Sequence, residues 1–197
     1  MTPLLPHGLV VLDTETTGLP SASWSRVVEL AAVLLDTQGR EVDTFTSLVR
    51  PDILDARAAG AQRIHGITPA MLADAPDAAQ VVADFRAWIA TAIPVTAFNV
   101  AFDRPMTERM GLTGLRWAHC IMLRSLDIMG PAGVLAPADP SHPRYVPGRE
   151  WLWPSLAAAS EFFGVPAQEP AHRALSDARR AAAVAVEVRR RMQRGAA

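Results

Sequence analysis

Four apolar residues, Leu9-Val10-Val11-Leu12, run directly into Asp13-Thr14-Glu15. A short continuous apolar stretch of this kind reads as a central strand buried on both faces. Side chains two apart in a strand share a face, so the two acids that close it stand side by side. Carboxylates so placed repel, and withdrawing them from water without a partner is costly. A hard divalent cation, Mg2+ or Mn2+, resolves that conflict through carboxylate oxygen. The plainer alternative is an exposed strand end with two solvated acids. A calcium loop fails: Asp13, Glu15, Thr17 and Gly18 match the first, third, fifth and sixth positions of the EF-hand, but Trp24 stands where the twelfth must be Glu.

The rest of the chain alternates between strand and helix patterns. Val27 to Leu35 and Glu41 to Val49 are β-rich and flank Asp36-Thr37-Gln38-Gly39-Arg40, a turn-rich stretch suited to a hairpin. Ile53 to Arg63 reads as a short helix ending near His65-Gly66. Asp77 to Thr91 carries Val81, Val82, Phe85, Trp88 and Ile89 at amphipathic helical spacing. Ile93 to Ala97 is a short strand, Val100 to Met110 a helix stopped at Gly111, and Trp117 to Met122 a candidate fifth strand. From 130 to 153, Pro131, Pro137, Pro140, Pro143 and Pro147 with Gly133 and Gly148 disfavour any regular element. A connector that long points to function or mobility. Pro154 to Phe163 reads as a helix with Pro at its start, and Ala174 to Arg191 as an Ala-rich helix with arginines near its C-terminal end. The order of elements predicts one α/β domain over 1–197, with helices around a mixed sheet and 130–153 as a loop insertion.

Two further stretches carry acids. Asn99-Val100-Ala101-Phe102-Asp103 sits at a strand-to-helix junction. There Asn99 suits a helix cap and Asp103 a first-turn dipole partner, but a first-turn carboxylate can also reach a metal at the strand ends. His172-Arg173-Ala174-Leu175-Ser176-Asp177 opens the last helix. With Asp13-Thr14-Glu15-Thr16-Thr17-Gly18-Leu19, these stretches supply four carboxylates and one imidazole, the parts needed to hold two divalent ions and activate a water.

In residue type, spacing and order the three stretches resemble the exonuclease motifs of the DEDD superfamily, histidine subclass. Proofreading exonucleases such as the epsilon subunit of the bacterial replicative polymerase, ribonuclease T and oligoribonuclease belong to it. The resemblance runs from about residue 8 to 190, and the tyrosine subclass would carry Tyr where His172 stands. It implies a ribonuclease H-like fold, a mixed five-stranded sheet with helices on both faces. It also implies two Mg2+ ions, replaceable by Mn2+, with Asp13 bridging them. Glu15 and Asp177 would complete one ion and Asp103 would support the other, while His172 would act as general base. Thr16 and Leu19 would contact the terminal nucleotide, with Gly18 letting backbone approach it closely. Ile64-His65-Gly66-Ile67-Thr68 resembles a pocket-lining segment, which adds His65, although a helix-ending His-Gly explains it nearly as well. Asn99 joins the substrate contacts through the second motif.

Two departures concern specificity. Many relatives place Asp-Thr where this chain has His119-Cys120, and the Pro-rich stretch is longer than the family leads one to expect. His119, Cys120 and His142 lack zinc-ligand spacing. Arg144, Tyr145 and Arg149 in the long loop could pair with phosphates or stack on bases.

Composition trims the remaining classes. A formal net charge of −1 gives no overall basic signature, which suits a pocket gripping a few nucleotides better than a duplex coat. All 19 basic residues are Arg, as GC-biased coding produces. One cysteine, Cys120, excludes an internal disulfide, and no apolar run approaches a membrane span. The N-terminal residues lack the pattern of a signal peptide, so a cytoplasmic location is expected. The expected activity is metal-dependent 3′→5′ hydrolysis of single-stranded nucleic acid, DNA ahead of RNA, to 5′-mononucleotides. Alternatives are a proofreading subunit of a DNA polymerase, an RNA-directed exoribonuclease and a non-catalytic nucleic-acid-binding module. The expected partners are single-stranded 3′ ends and no membrane; a polymerase partner is allowed, but no clamp-binding segment after Arg194 indicates one.

Overall fold

The computed structural model describes residues 8–89, 93–167 and 172–195. The strands are β1 (Leu9–Thr16), β2 (Val27–Leu35), β3 (Glu41–Leu48) and β4 (Val95–Ala97). They form one mixed sheet in the order β3-β2-β1-β4, antiparallel except where β1 runs parallel to β4. The helices are α1 (Ala59–His65), α2 (Pro69–Leu72), α3 (Ala78–Trp88), α4 (Val100–Arg109), α5 (Ile121–Met129), α6 (Leu156–Phe163) and α7 (Ala174–Gly195).

Alternation along β1 sorts its side chains between two cores. Leu9 and Val11 pack with Val33 and Leu35 of β2 beneath α5, α6 and α7. Val10 and Leu12 pack with Leu30 and Ala32 beneath α3 and α4, against Phe85 and Met106. Being central, β1 is apolar on both faces up to Asp13. The register with β2 slips between Glu15 and Thr16. Val27 and Leu30, three apart, therefore reach the same core, which strict alternation forbids.

The hairpin over 36–40 forms as its residues predict: the Asp36 carboxylate accepts from the backbone N–H of Gln38 and of Arg40. Asp77 caps α3 by accepting from the Gln80 N–H. Ser155 caps α6 by accepting from the Ala158 N–H, so Pro154 lies just outside that helix. The segment read as a helix from Ile53 begins only with a 3-10 turn at Ala56–Ala58 before α1.

The expected fifth strand is absent from the described residues, and the sheet has four. Val95 donates to the Arg116 carbonyl and accepts from the Ala118 N–H, which leaves Trp117 as a single parallel bridge beside β4. The chain then turns into α5, whose buried Ile121, Met122, Ser125, Leu126 and Met129 recur at helical spacing. That periodicity outweighs the β-rich start of the segment. It also converts the supposed end of a strand into the first turn of a helix.

The long loop carries no helix or strand, as expected, yet its base is fastened. Pro137 and Trp151 form an antiparallel bridge, Ala138 N–H donates to the Glu150 carbonyl, and Leu152 N–H donates to that of Ala136. Trp151 lies so close over Gly130 that a Cβ there would meet its ring at 2.3 Å. Only glycine fits beneath that indole.

Candidate active site

Asp13 and Glu15 project from β1 toward the α7 layer, and Asp177 descends onto them from the first turn of α7. One oxygen from each of the three carboxylates lies within 4.8 Å of the others, and all three side chains are half-buried. Asp103 arrives from the opposite layer, on α4, and is buried to 3% exposure. Its Oδ1 accepts the Thr14 backbone N–H at 3.1 Å and the Thr14 hydroxyl at 2.9 Å. The end of β1 is thus where acids from both faces of the sheet converge.

Among the described residues, Arg173, His172 and Arg180 offset these acids only in part. Burial, then the charges of Asp103, Glu15 and Asp177, hold the Asp13 carboxyl well above the usual carboxylate range. Glu15 is pushed up to about 8 by burial and by the charges of Asp177, Glu29 and Asp103, with Arg173 pulling weakly the other way. Asp103 rises to about 7 through burial, against the lowering effect of its Thr14 hydrogen bonds. Asp177 is raised by burial, while the His172 imidazole and Arg180 pull it down. Acids that resist ionisation, chiefly through burial and for Asp13 and Glu15 also through one another's charge, form a site short of positive charge. The donors are all carboxylate oxygen, the set that hard divalent cations such as Mg2+ and Mn2+ take.

His172 precedes α7, is exposed, and has a left-handed backbone with φ of 57°. That conformation is uncommon outside glycine, although His is among the residues that tolerate it. The His172 backbone is hydrogen-bonded to the Asp177 carboxylate, so the imidazole stands beside the acid cluster.

The expected substrate residues divide. Leu19 is 66% exposed at the mouth of the site. Asn99 leaves α4 without a side-chain cap, and its Oδ1 is buried with no partner among the described residues, so the capping role is not taken up. Thr16 is buried, with its hydroxyl donated to the Gly18 carbonyl. His65 is buried as well: Nδ1 accepts the Ile67 N–H at 3.0 Å, and the ring also hydrogen-bonds the Thr16 backbone. The pair braces the end of β1 against the end of α1. Gly18 makes room for Trp24, whose ring a Cβ would meet at 2.7 Å.

Beside the cluster an open groove of about 720 Å3 runs between α4 and the long loop. Leu19, Asn99, Phe102, Tyr145 and Trp153 are among the residues that line it.

One buried acid escaped the motif analysis. Glu29 on β2 is directly opposite Glu15 and 3% exposed. It accepts Arg173 Nε at 3.0 Å, Arg173 Nη2 and the Ala174 backbone N–H at 2.9 Å. The available signal was a lone charge in the apolar run Val27-Val28-Glu29-Leu30-Ala31-Ala32-Val33, since a buried charge requires a partner.

Comparison with known proteins agrees with this geometry. The profile of the exonuclease family RNase_T matches residues 10–129, which hold the first two acidic stretches. The chain is 44% identical over 94 residues to the DNA polymerase III PolC-type of Bacillus subtilis (strain 168), covering 48% of this chain and 6% of that protein. It therefore spans only a small part of that relative. Among solved structures it superposes on exonuclease X in complex with 5′ overhanging duplex DNA. That match has a TM-score of 0.66 and 26% identity, and covers 94% of this chain and 93% of the other. Escherichia coli exonuclease I in complex with a dT13 oligonucleotide shares the fold, with a TM-score of 0.71 at 20% identity over 95% of this chain and 42% of the other. The fold is the ribonuclease H-like one expected, with one strand fewer. No helix among the described residues is long and apolar enough to cross a membrane.

Proposed function

The chain belongs to the exonuclease family, and on that footing we propose that it is a metal-dependent 3′→5′ exonuclease that shortens single-stranded DNA to 5′-mononucleotides. The observation that carries this reading is the convergence of Asp13, Glu15 and Asp177 within 4.8 Å, with their carboxyls still raised despite the cations nearby. Asp13, Glu15 and Asp177 would hold one divalent ion, and Asp13 with Asp103 a second. Bound there, such ions lower the pKa of a water and stabilise the departing 3′-oxygen. His172, exposed beside Asp177, accepts the proton of the attacking water at its imidazole, a base suited to neutral pH. Thr14 keeps Asp103 oriented through its two hydrogen bonds.

The strand would lie in the groove between α4 and the long loop. Leu19 and Asn99 would meet the terminal nucleotide, and Phe102 and Tyr145 offer faces for the bases behind it. Stacking of this kind tolerates every base. Thr16 and His65 shape the wall rather than touch the strand, because their polar groups are engaged within the protein.

The test is purified protein with Mg2+ and 5′-labelled single-stranded DNA and RNA of matched sequence. DNA should shorten stepwise from its 3′ end, and faster than RNA. Equal or faster loss of RNA would replace this substrate assignment with an exoribonuclease.

The identity to a PolC-type polymerase favours a second reading, in which the same chemistry edits the end a polymerase has made. An isolated chain inert on single strands, and active on mismatched primer ends only with a polymerase present, would establish it over the first.

A further inference from the structure

Glu29 takes no part in the chemistry above, yet it is among the most buried charges of the described residues and lies on the same sheet face as Glu15, directly across the β1–β2 ladder. Its side chain is 4% exposed, against 32% for Arg173, the cation it pairs with among the described residues. Arg173 adjoins His172, lies four residues before Asp177, and is close enough to Glu15 for each to bias the ionisation of the other. A free guanidinium in that position would swing onto Glu15 and Asp177, since Arg pairs readily with carboxylates in a two-pronged fork. It would then occupy the place of a metal ion.

We infer that Glu29 is a positioning residue that sequesters Arg173, keeping the guanidinium off the Glu15–Asp177 carboxylates so that they remain available to divalent metal. Three hydrogen-bonding groups converge on the one carboxylate: Arg173 Nε, Arg173 Nη2 and the Ala174 N–H at the start of α7. The Ala174 bond holds the helix that carries Asp177, and the two Arg173 bonds fix the side chain that would otherwise compete. A salt bridge kept only for stability could sit anywhere along β2. This one lies opposite a metal-site acid and captures the cation nearest to it.

This inference rests on the metal-binding reading of the acid cluster. Its test therefore measures binding directly, by calorimetric titration of Mn2+ into the purified chain, alongside thermal unfolding. Glu29→Gln keeps the size of the side chain and an oxygen for the Ala174 N–H but releases the guanidinium. It should weaken Mn2+ binding at least about tenfold, as expected of a unit positive charge brought within several Å of the ion. Arg173→Ala leaves a buried unpaired acid and should unfold at lower temperature while binding Mn2+ no more weakly than the unaltered chain. Glu29→Gln combined with Arg173→Ala should bind Mn2+ within about threefold of the unaltered chain, because the competitor is gone. That rescue separates sequestration from a scaffold role, under which every variant would bind more weakly and the double variant most weakly. Undiminished binding by Glu29→Gln, or additive loss in the double variant, would overturn the inference and leave the functional reading intact. Lack of saturable Mn2+ binding by the unaltered chain would overturn both.

Discussion

Thr14 grips Asp103 twice, through its backbone N–H and its hydroxyl, and both bonds end on the same oxygen. The residues are 89 positions apart and come from opposite sides of the problem: Thr14 lies between the two acids of β1, and Asp103 belongs to α4 beneath the other face of the sheet. The contact sets the second layer's acid against the first layer's pair. Thr14→Val, nearly equal in shape, removes the hydroxyl bond alone. Because both bonds lower the Asp103 pKa, the substitution should raise it further. The kcat should fall roughly tenfold at neutral pH, in keeping with about 1.5 kcal/mol for a hydrogen bond to a charged group. The acid limb of the pH–rate profile should shift upward. An unchanged profile would deny Asp103 a role in the rate.

The raised carboxyls also predict how the metal-free chain responds to pH. Glu15 moves from an ordinary 4.5 to about 8, and Asp103 from 3.8 to about 7. Between those limits the folded state binds more protons than the unfolded one. Stability in EDTA must therefore fall as pH rises through the window, and be greatest below pH 3.8 as far as these two groups decide it. Mn2+ replaces the protons, so its stabilising effect should grow with pH. Thermal unfolding with and without Mn2+, from about pH 6 to pH 8, checks this. A Tm difference that is absent or shrinks toward pH 8 contradicts it.

His172→Ala should lower the rate by roughly 10²–10⁴-fold, the range for loss of a general base, while Mn2+ binding is largely retained. Because His172 has a left-handed backbone, His172→Asn is the cleaner control: Asn accepts that conformation and cannot act as the base. Wild-type rates in both variants would remove His172 from the mechanism.

Much of this arrangement was legible in the residues. The apolar run into Asp13 marks a central strand, and the i, i+2 spacing puts Glu15 on the same face. The expected fifth strand came from reading a segment in isolation. Trp117 to Met122 reads as a strand by itself, and only the recurrence of Leu126 and Met129 beyond it reveals a helix docked beneath the sheet. Asn99 has the residue type of a cap, yet its side chain makes no capping hydrogen bond. Glu29 could be flagged as a charge inside an apolar strand, but its partner lies 144 positions away. Only the register that sets it opposite Glu15 shows what it does. His65-Gly66 ends α1 as its residue types suggest, but its bond to the Thr16 backbone depends on how α1 returns to β1.

The proposed seat of the strand would give the long loop a binding role, which a point substitution can test. Tyr145→Ala should raise KM about fivefold or more, within the ~1–3 kcal/mol typical of a stacked base, and leave kcat nearly unchanged. This is cleaner than shortening the loop, because Leu135 packs against the core and Trp151 covers Gly130. Steady-state kinetics on a single-stranded oligonucleotide decide it. Equal KM would leave the loop without a part in holding the strand.

Release of nucleotides from a 5′-labelled single strand tests the central claim most directly, comparing the unaltered chain with Asp13→Ala in Mg2+ and in EDTA. The account predicts a ladder shortening from the 3′ end only for the unaltered chain in Mg2+, with Asp13→Ala still folded by thermal unfolding. Cleavage that persists undiminished in EDTA, or in Asp13→Ala, would contradict it.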